Sequence, residues 1–462
     1  MGKISQGTYG KDTIESNSFV VNLMKYPEIS KTMIKQFPQY SMNYFVDGLG
    51  RYAKEEMIGD HKFQWSVLGR LNRPSTLTGT SNGNGAAGAS FEFETEENYI
   101  NPNDIVKFKS GRTAIVLNEP VASVGGYTFT AQLTGAQGTS DPGLPATDLA
   151  AGLTLGTAGN AFSEGSHRGY ENHIYPDWYT NYTTIHRKSK KISGSALTDI
   201  LWIESNGQKL WFHKDAEIMM DEFLYQREID DWYGVTTVDA NGNSTMIDPK
   251  TNKPIYKGDG ILRQISSANI DTYNGTLTES QITSFLTQLK LNTGKKDQHW
   301  LVFTGAAGEE AFHKAMKELI VDTGNYIYDA QAGKDIMIGG NFRHYNAVGV
   351  KMTLVHCPIF DDPHLHGNDV DPNTGYPKES FRMVFTDFGS DNSGVANIER
   401  KVKGAGGINR GMIMKYIAGM VNPYNQDEMN AANAADYFSC EVLSESQIVV
   451  RNTLSCGQLI YA

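Results

Sequence analysis

Cysteine is nearly absent from this chain. Its three cysteines in 462 residues, Cys357, Cys440 and Cys456, are too few and too scattered for a disulfide framework or a zinc ribbon. No apolar run approaches the ~18–20 residues of a membrane span, and the longest strings are as short as Ala114-Ile115-Val116-Leu117. The opening Met1-Gly2-Lys3-Ile4-Ser5-Gln6 holds no apolar signal core. It also misses the myristoylation pattern, because Gln6 stands where Ser or Thr is needed. Excess positive charge is lacking too. With 41 Lys and Arg against 52 Asp and Glu, the net charge of −11 argues against a dedicated nucleic-acid binder. These absences predict a soluble chain of a reducing compartment, with no membrane contact. At about 150 residues per domain, two or three domains are expected.

Glycine and aromatics are plentiful, with 47 Gly, 23 Tyr and 20 Phe. Glycine permits sharp turns and aromatic rings supply large contact areas, a mixture suited to a strand-rich protein with long excursions. The first sixty residues read as an extended arm whose apolar islands, such as Phe19-Val20-Val21, need an outside cover, with a short helical pattern over 40–57. Period-two patterning over 62–71 and 90–96 predicts a two-stranded excursion. Its tip, 73–89, carries four glycines and reads as core-free. Strand-like segments over 104–134 and a loose stretch over 135–169 predict a small β insertion. The strongest helix spans 207–232, with Trp211, Ile218, Tyr225 and Trp232 every seven residues and Phe212, Ala216, Met219 and Phe223 beside them. Charges fill the rest, Arg227 and Glu228 among them. Thr278 with Gln281 makes a capping box, 299–303 a buried strand, and 437–461 a terminal hairpin.

Each chemical motif meets a plainer explanation. Gly83-Asn84-Gly85-Ala86-Ala87-Gly88 spells a dinucleotide fingerprint and Gly79-Thr80-Ser81-Asn82-Gly83 a nucleophile elbow, but neither has the strand before and helix after that the chemistry requires. Thr304-Gly305-Ala306-Ala307-Gly308 is better placed, yet Glu309 and Glu310 would repel a phosphate, so a capped helix start is expected. His356, Asp361, Asp362, His364 and His366 are metal-ligand types, and Asp369 to Gly375 resembles a calcium loop with Thr374 and Ser380 at the wrong places. A surface loop explains both equally well. Arg187-Lys188-Ser189-Lys190-Lys191 reads either as a contact for a neighbour's acidic surface or as a lysine-guarded strand edge. No nucleophile, base and orienter come together, so no catalytic, cofactor-binding or metal residues are assigned.

The order of parts carries more than any motif. Gln64 to Arg70, the glycine tip, Phe91-Glu92-Phe93, then 104–133 resemble the E-loop, with a β insertion, of tailed-phage major capsid proteins of the Hong Kong 97 (HK97) fold. Gly258-Asp259-Gly260-Ile261-Leu262-Arg263-Gln264-Ile265 and Trp300 to Gly305 resemble the P-domain core of that group, and Pro358 to Asp361 and Phe385 to Gly389 its A-domain strands. Among these proteins the chain is most similar to those of crAss-like phages. The resemblance implies an α+β fold with an N-terminal arm over 1–60 and an E-loop over 61–190 whose β-rich insertion covers about 104–169. It further implies a P domain over 191–335 with a spine helix at 207–232, an A domain over 336–419, and C-terminal strands over 420–462 returning to the P domain. It implies a structural rather than enzymatic role: self-assembly as hexamers and pentamers into an icosahedral shell in the virion, assembled in the bacterial host cytoplasm. Such a shell encloses double-stranded DNA without sequence-specific binding and meets portal and auxiliary or decoration proteins. The rivals are a soluble metal-dependent hydrolase built on His356, Asp361, Asp362, His364 and His366, or a tail or fibre subunit.

Overall fold

The structure is a computed structural model. It describes residues 54–69, 74–135, 138–166, 169–171, 173–198, 211–293, 298–323, 344–390, 394–420 and 434–462. Nearly all of the expected N-terminal arm therefore lies outside the described residues. At its end Lys54–Ile58 is a strand, where a helical pattern was expected. The chain divides into two units, one of residues 66–179 and one comprising the rest. No described helix is long and apolar enough to cross a membrane.

The larger unit holds two six-stranded sheets. In the first, Tyr437–Val450 is the central strand, flanked by Thr184–Ser193 on one side and by Ile398–Ala405 and Ile413–Ile417 on the other. Lys54–Ile58 adds a parallel edge strand beside Ile398–Ala405. Charge fastens that edge: Arg451 reaches Glu399 at 2.7 Å and Glu56 at 3.2 Å, and Lys401 bridges the same two carboxylates.

The helix Trp211–Tyr233 covers this sheet, with Ala216, Met219 and Phe223 packed on Cys440 and Val442. That i, i+3, i+7 spacing is the apolar stripe of an amphipathic helix. Met219 and Phe223 are buried as expected, whereas Ile218 is only half-buried, and the Phe212 side chain lies outside those described. At the C-terminal end Trp232 enters a second cluster, edge-on to Phe303 at 5.4 Å and to Phe360 at 5.0 Å.

The second sheet runs Ile270–Tyr273, Gly457–Tyr461, Met383–Thr386, Gln298–Thr304, Val350–His356, His344–Ala347. Trp300 and Val302 face the helices Glu279–Thr293 and Ala306–Thr323, while Leu301 and Phe303 face the cluster around Trp232. A strand buried on both faces explains the unbroken apolar run. The capping box forms as written: Gln281 N donates to Thr278 Oγ1 at 3.3 Å, and Thr278 N to Gln281 Oε1 at 3.1 Å. Two expectations need correction. Tyr437–Val450 is one fourteen-residue strand, and Gly457–Tyr461 leaves for the other sheet, so no terminal hairpin exists. Strands from both sides of position 335 also share the second sheet, so that domain boundary falls inside it.

The smaller unit is a closed barrel. Ser75–Asn82 pairs with Phe91–Thr95 and Thr154–Asn160; Phe91–Thr95 pairs with Gly126–Leu133. Gly126–Leu133 continues through Thr113–Val116 and Asp104–Lys107 back to Thr154–Asn160, completing the ring. Leu77, Phe91, Phe93, Val106, Phe129 and Leu155 fill it, with Phe93 stacked on Phe129 at 5.6 Å. The stretch read as a core-free tip is therefore a barrel strand, and the β insertion begins near Ser75, not near 104. Glycine serves close approach here. Gly85 has φ +76°, and a Cβ on it would stand 2.9 Å from Leu133.

Candidate functional site

The His356 cluster does structural work. The helix Ala306–Thr323 begins with unpaired backbone amides, and Asp361 accepts from Ala306 N at 2.9 and 3.1 Å. Ser380 Oγ accepts from Ala307 N at 3.0 Å and donates to Asp361 at 2.5 Å. Gly305 is required at this junction, since a Cβ would fall 2.3 Å from Asp361 Oδ1. The site that a phosphate could have used is filled by the chain's own carboxylate, as the capped-start reading expects. Asp362 caps a different turn through His364 N at 2.8 Å and also accepts from Tyr225. His364 is exposed, and His366 lies against the Tyr233 ring at 5.3 Å. Among the described residues, no group of three or more His, Cys, Asp and Glu side chains is arranged to hold a metal. The hydrolase built on these residues is not favoured, because its carboxylates are divided between two helix starts.

His356 sits between Asp361 at 3.1 Å and Glu309 at 3.5 Å. Hydrogen bonds to Asp361 and Glu309 outweigh burial and push its pKa up to about 9 from 6.5. A raised pKa stabilises the fold fully below pH ~6.5, and that contribution is lost as pH rises through about 9. The thermal midpoint is therefore expected to fall across that window, and His356→Gln should flatten the fall. Asp361→Ala should remove the partner and the cap together, costing about 1 kcal/mol, whereas His364→Ala should stay within about 0.5 kcal/mol. Unfolding midpoints measured at pH values across this window check all three.

The other motifs resolve likewise. The apparent calcium loop is a turn organised by Asp371, which accepts from Thr374 N at 2.9 Å and Thr374 Oγ1 at 2.6 Å. The basic run lies on Thr184–Ser193, an edge strand of its sheet. There Lys188 pairs with Glu222, and Lys191 sits 4.7 Å over the Tyr437 ring. These two, and Arg187 at 3.8 Å from Glu441, thus have partners within the chain, which favours the guarded-edge reading.

A buried charge cluster escaped the sequence reading. Arg227, Glu228 and Asp231 of the long helix are buried, as is Arg400 of the strand Ile398–Ala405. Arg400 bonds Asp231 at 2.5 Å and Ser446 Oγ at 3.0 Å. Burial, and Arg400 beside it, pull Arg227 down to about 10. Burial, reinforced by Asp231, pushes the Glu228 carboxyl well above the usual range. A signal existed: Arg227 stands one turn beyond Phe223 on the same stripe. Asp230 beside them is held low although burial raises it, because His186 at 3.4 Å and Lys257 at 2.6 Å outweigh that effect.

The chain's glycine-pinched excursions and the barrel expose apolar side chains such as Met246, Ile247, Val121 and Val124. Comparison with curated proteins finds no match. Among solved structures the chain is similar to the capsid of a native GTA particle, with 10% identity, 97% of this chain and 100% of that one covered, and a TM-score of 0.41. It is similar to a structure of Mycobacterium phage Adephagia, with 9% identity, coverage of 98% and 99%, and a TM-score of 0.36. The SrpI encapsulin complex from Synechococcus elongatus gives 10% identity, coverage of 62% and 75%, and a TM-score of 0.34. These likenesses are too distant to carry weight by themselves. The family model for the Crassvirus major capsid protein matches residues 3–462, nearly the whole chain. The chain belongs to the Crassvirus major capsid protein family.

Proposed function

We propose that this major capsid protein tiles an icosahedral shell as hexamers and pentamers around double-stranded DNA, and that its work is mechanical rather than catalytic. The match of the family model over residues 3–462 is the observation that carries this reading. The α+β content, with two sheets, a helix of twenty-three residues and an inserted barrel, suits an HK97-type subunit. In that scheme Trp211–Tyr233 is the spine helix and the sheet beneath it belongs to the P domain. The six-stranded mixed sheet with its two helices is of A-domain type, and the barrel is the insertion carried by the E-loop. The net charge of −11 suits an inner wall that must release its DNA, since tight phosphate neutralisation would oppose ejection. Portal and auxiliary or decoration proteins would complete the virion, with assembly in the bacterial host cytoplasm.

Electron microscopy of the expressed chain tests this reading. Class averages should show six-fold and five-fold capsomers, alone or joined in closed shells. Filaments or tail-like tubes without five-fold vertices would instead favour another virion component.

A further inference from the structure

The hairpin over 235–257, which follows the long helix, is built without a core. Only Thr237 in it is buried. Polar bonds hold it instead: Thr237 Oγ1 donates to Ile255 O at 2.7 Å, Thr245 N to Thr237 O at 2.8 Å, and Ile255 N to Met246 O at 2.9 Å. Asp239 accepts from Asn241 N at 2.9 Å and Asn243 N at 2.8 Å, while Asp248 accepts from Lys250 N at 2.9 Å and Thr251 Oγ1 at 2.7 Å. The neck is pinched by Gly234, Gly258 and Gly260; a Cβ on Gly258 would stand 2.1 Å from Tyr182 O. The hairpin is thus anchored and ordered by polar groups, yet Met246 (56% exposed), Ile247 (60%) and Ile255 (42%) project from it. Ile247 stands opposite Pro254, so Met246 and Ile255 lie side by side on the other face; they serve no core, and an exposed apolar patch marks a contact. Lys250 and Lys253 stand exposed beside it.

The barrel carries a patch of the opposite rim charge. Its turn at Gly125-Gly126 exposes Leu117 (50%), Val121 (59%) and Val124 (111%). Glu119 is exposed within the same hairpin, and the backbone around Gly126 packs against Thr95 and Glu96, which places the exposed Glu96 at its side. Across the described barrel, carboxylates outnumber basic side chains. Both patches are exposed among the described residues.

We propose that the hairpin over 235–257 is a contact between copies, seating Met246 and Ile255 on the Leu117–Val124 patch of a second copy, with Lys250 and Lys253 facing Glu96 and Glu119. Two different patches meeting make a heterologous contact, the kind that closes rings. Apolar centres supply the burial, and the complementary rims select the partner and its register. The contact rests on the shell-forming reading of the chain.

The test uses the full chain, reading the assembled fraction by sedimentation and subunit folding by thermal unfolding. The double variant Lys250→Glu with Lys253→Glu should lower the apparent assembly constant about tenfold or more, with the subunit's unfolding midpoint unchanged. The double variant Glu96→Lys with Glu119→Lys should do the same, and combining all four substitutions should restore assembly. Met246→Ser, at an exposed position, provides a charge-independent check and should also weaken assembly. Hairpin variants that assemble like the wild type, or a four-fold variant no better than either pair, would overturn the contact alone. A wild-type chain that never assembles would overturn the shell reading itself, and the contact with it.

Discussion

Trp232→Ala is expected to cost about 3–5 kcal/mol, a large part of the ~5–15 kcal/mol that holds a typical domain folded. Trp232 is fully buried at the end of the long helix, edge-on to Phe303 and Phe360, with Ile261, Ile398 and Ile448 in the same cluster. Its ring ties the helix to strands of both sheets in the larger unit. Those strands are pinned by their hydrogen-bond ladders, so the space left by Ala cannot collapse, and the cavity cost adds to the lost transfer energy. Denaturant unfolding of the unassembled subunit measures it. A midpoint within about 0.5 kcal/mol of the wild type would mean that this helix end does not pack as described.

The second large effect is expected at Asp231. Asp231→Ala leaves Arg400, with Arg227 nearby, as buried cations that have lost a counter-charge. Breaking a buried pair from one side costs about 3–5 kcal/mol, because the remaining charge stays desolvated. Glu228 moderates this. Its carboxyl is held high by burial and then by the charge of Asp231, so removing Asp231 relieves that second part of the push. The cost should therefore fall near the low end, about 3 kcal/mol. The double replacement Asp231→Leu with Arg400→Met removes both charges, so it should cost less than Asp231→Ala alone. A double variant as damaged as the sum of its singles would show that the pair is not coupled.

Where periodicity and burial coincide, the sequence is readable. The capping box at Thr278, the run from Trp300 to Phe303 and the stripe Ala216, Met219, Phe223 fold as written. Reading fails where polar residues are buried. Ser444-Glu445-Ser446 looks like a turn between two strands, yet these three and Gln447 are buried inside Tyr437–Val450. Partners distant in sequence satisfy them: Ser444 donates to Gly411 O, Gln447 donates to Asp259 O at 3.0 Å, and Arg410 reaches Glu445 at 2.5 Å. Leu77 is the barrel strand's lone large apolar residue among threonines, serines and glycines, so its place in the ring depends on neighbours that local pattern does not show. At the His356 cluster the deciding partner is again distant in sequence. His356 and Asp361 do meet, but the amide of Ala306, fifty-five positions away, also bonds the carboxylate.

The central claim is that this chain is made to associate with itself into a shell, and particle mass tests it most directly. Sedimentation velocity on the full-length protein, followed across concentration and ionic strength, should show capsomers that convert to closed particles far above a megadalton. A chain that remains a monomer or a small closed oligomer under all those conditions would contradict the account.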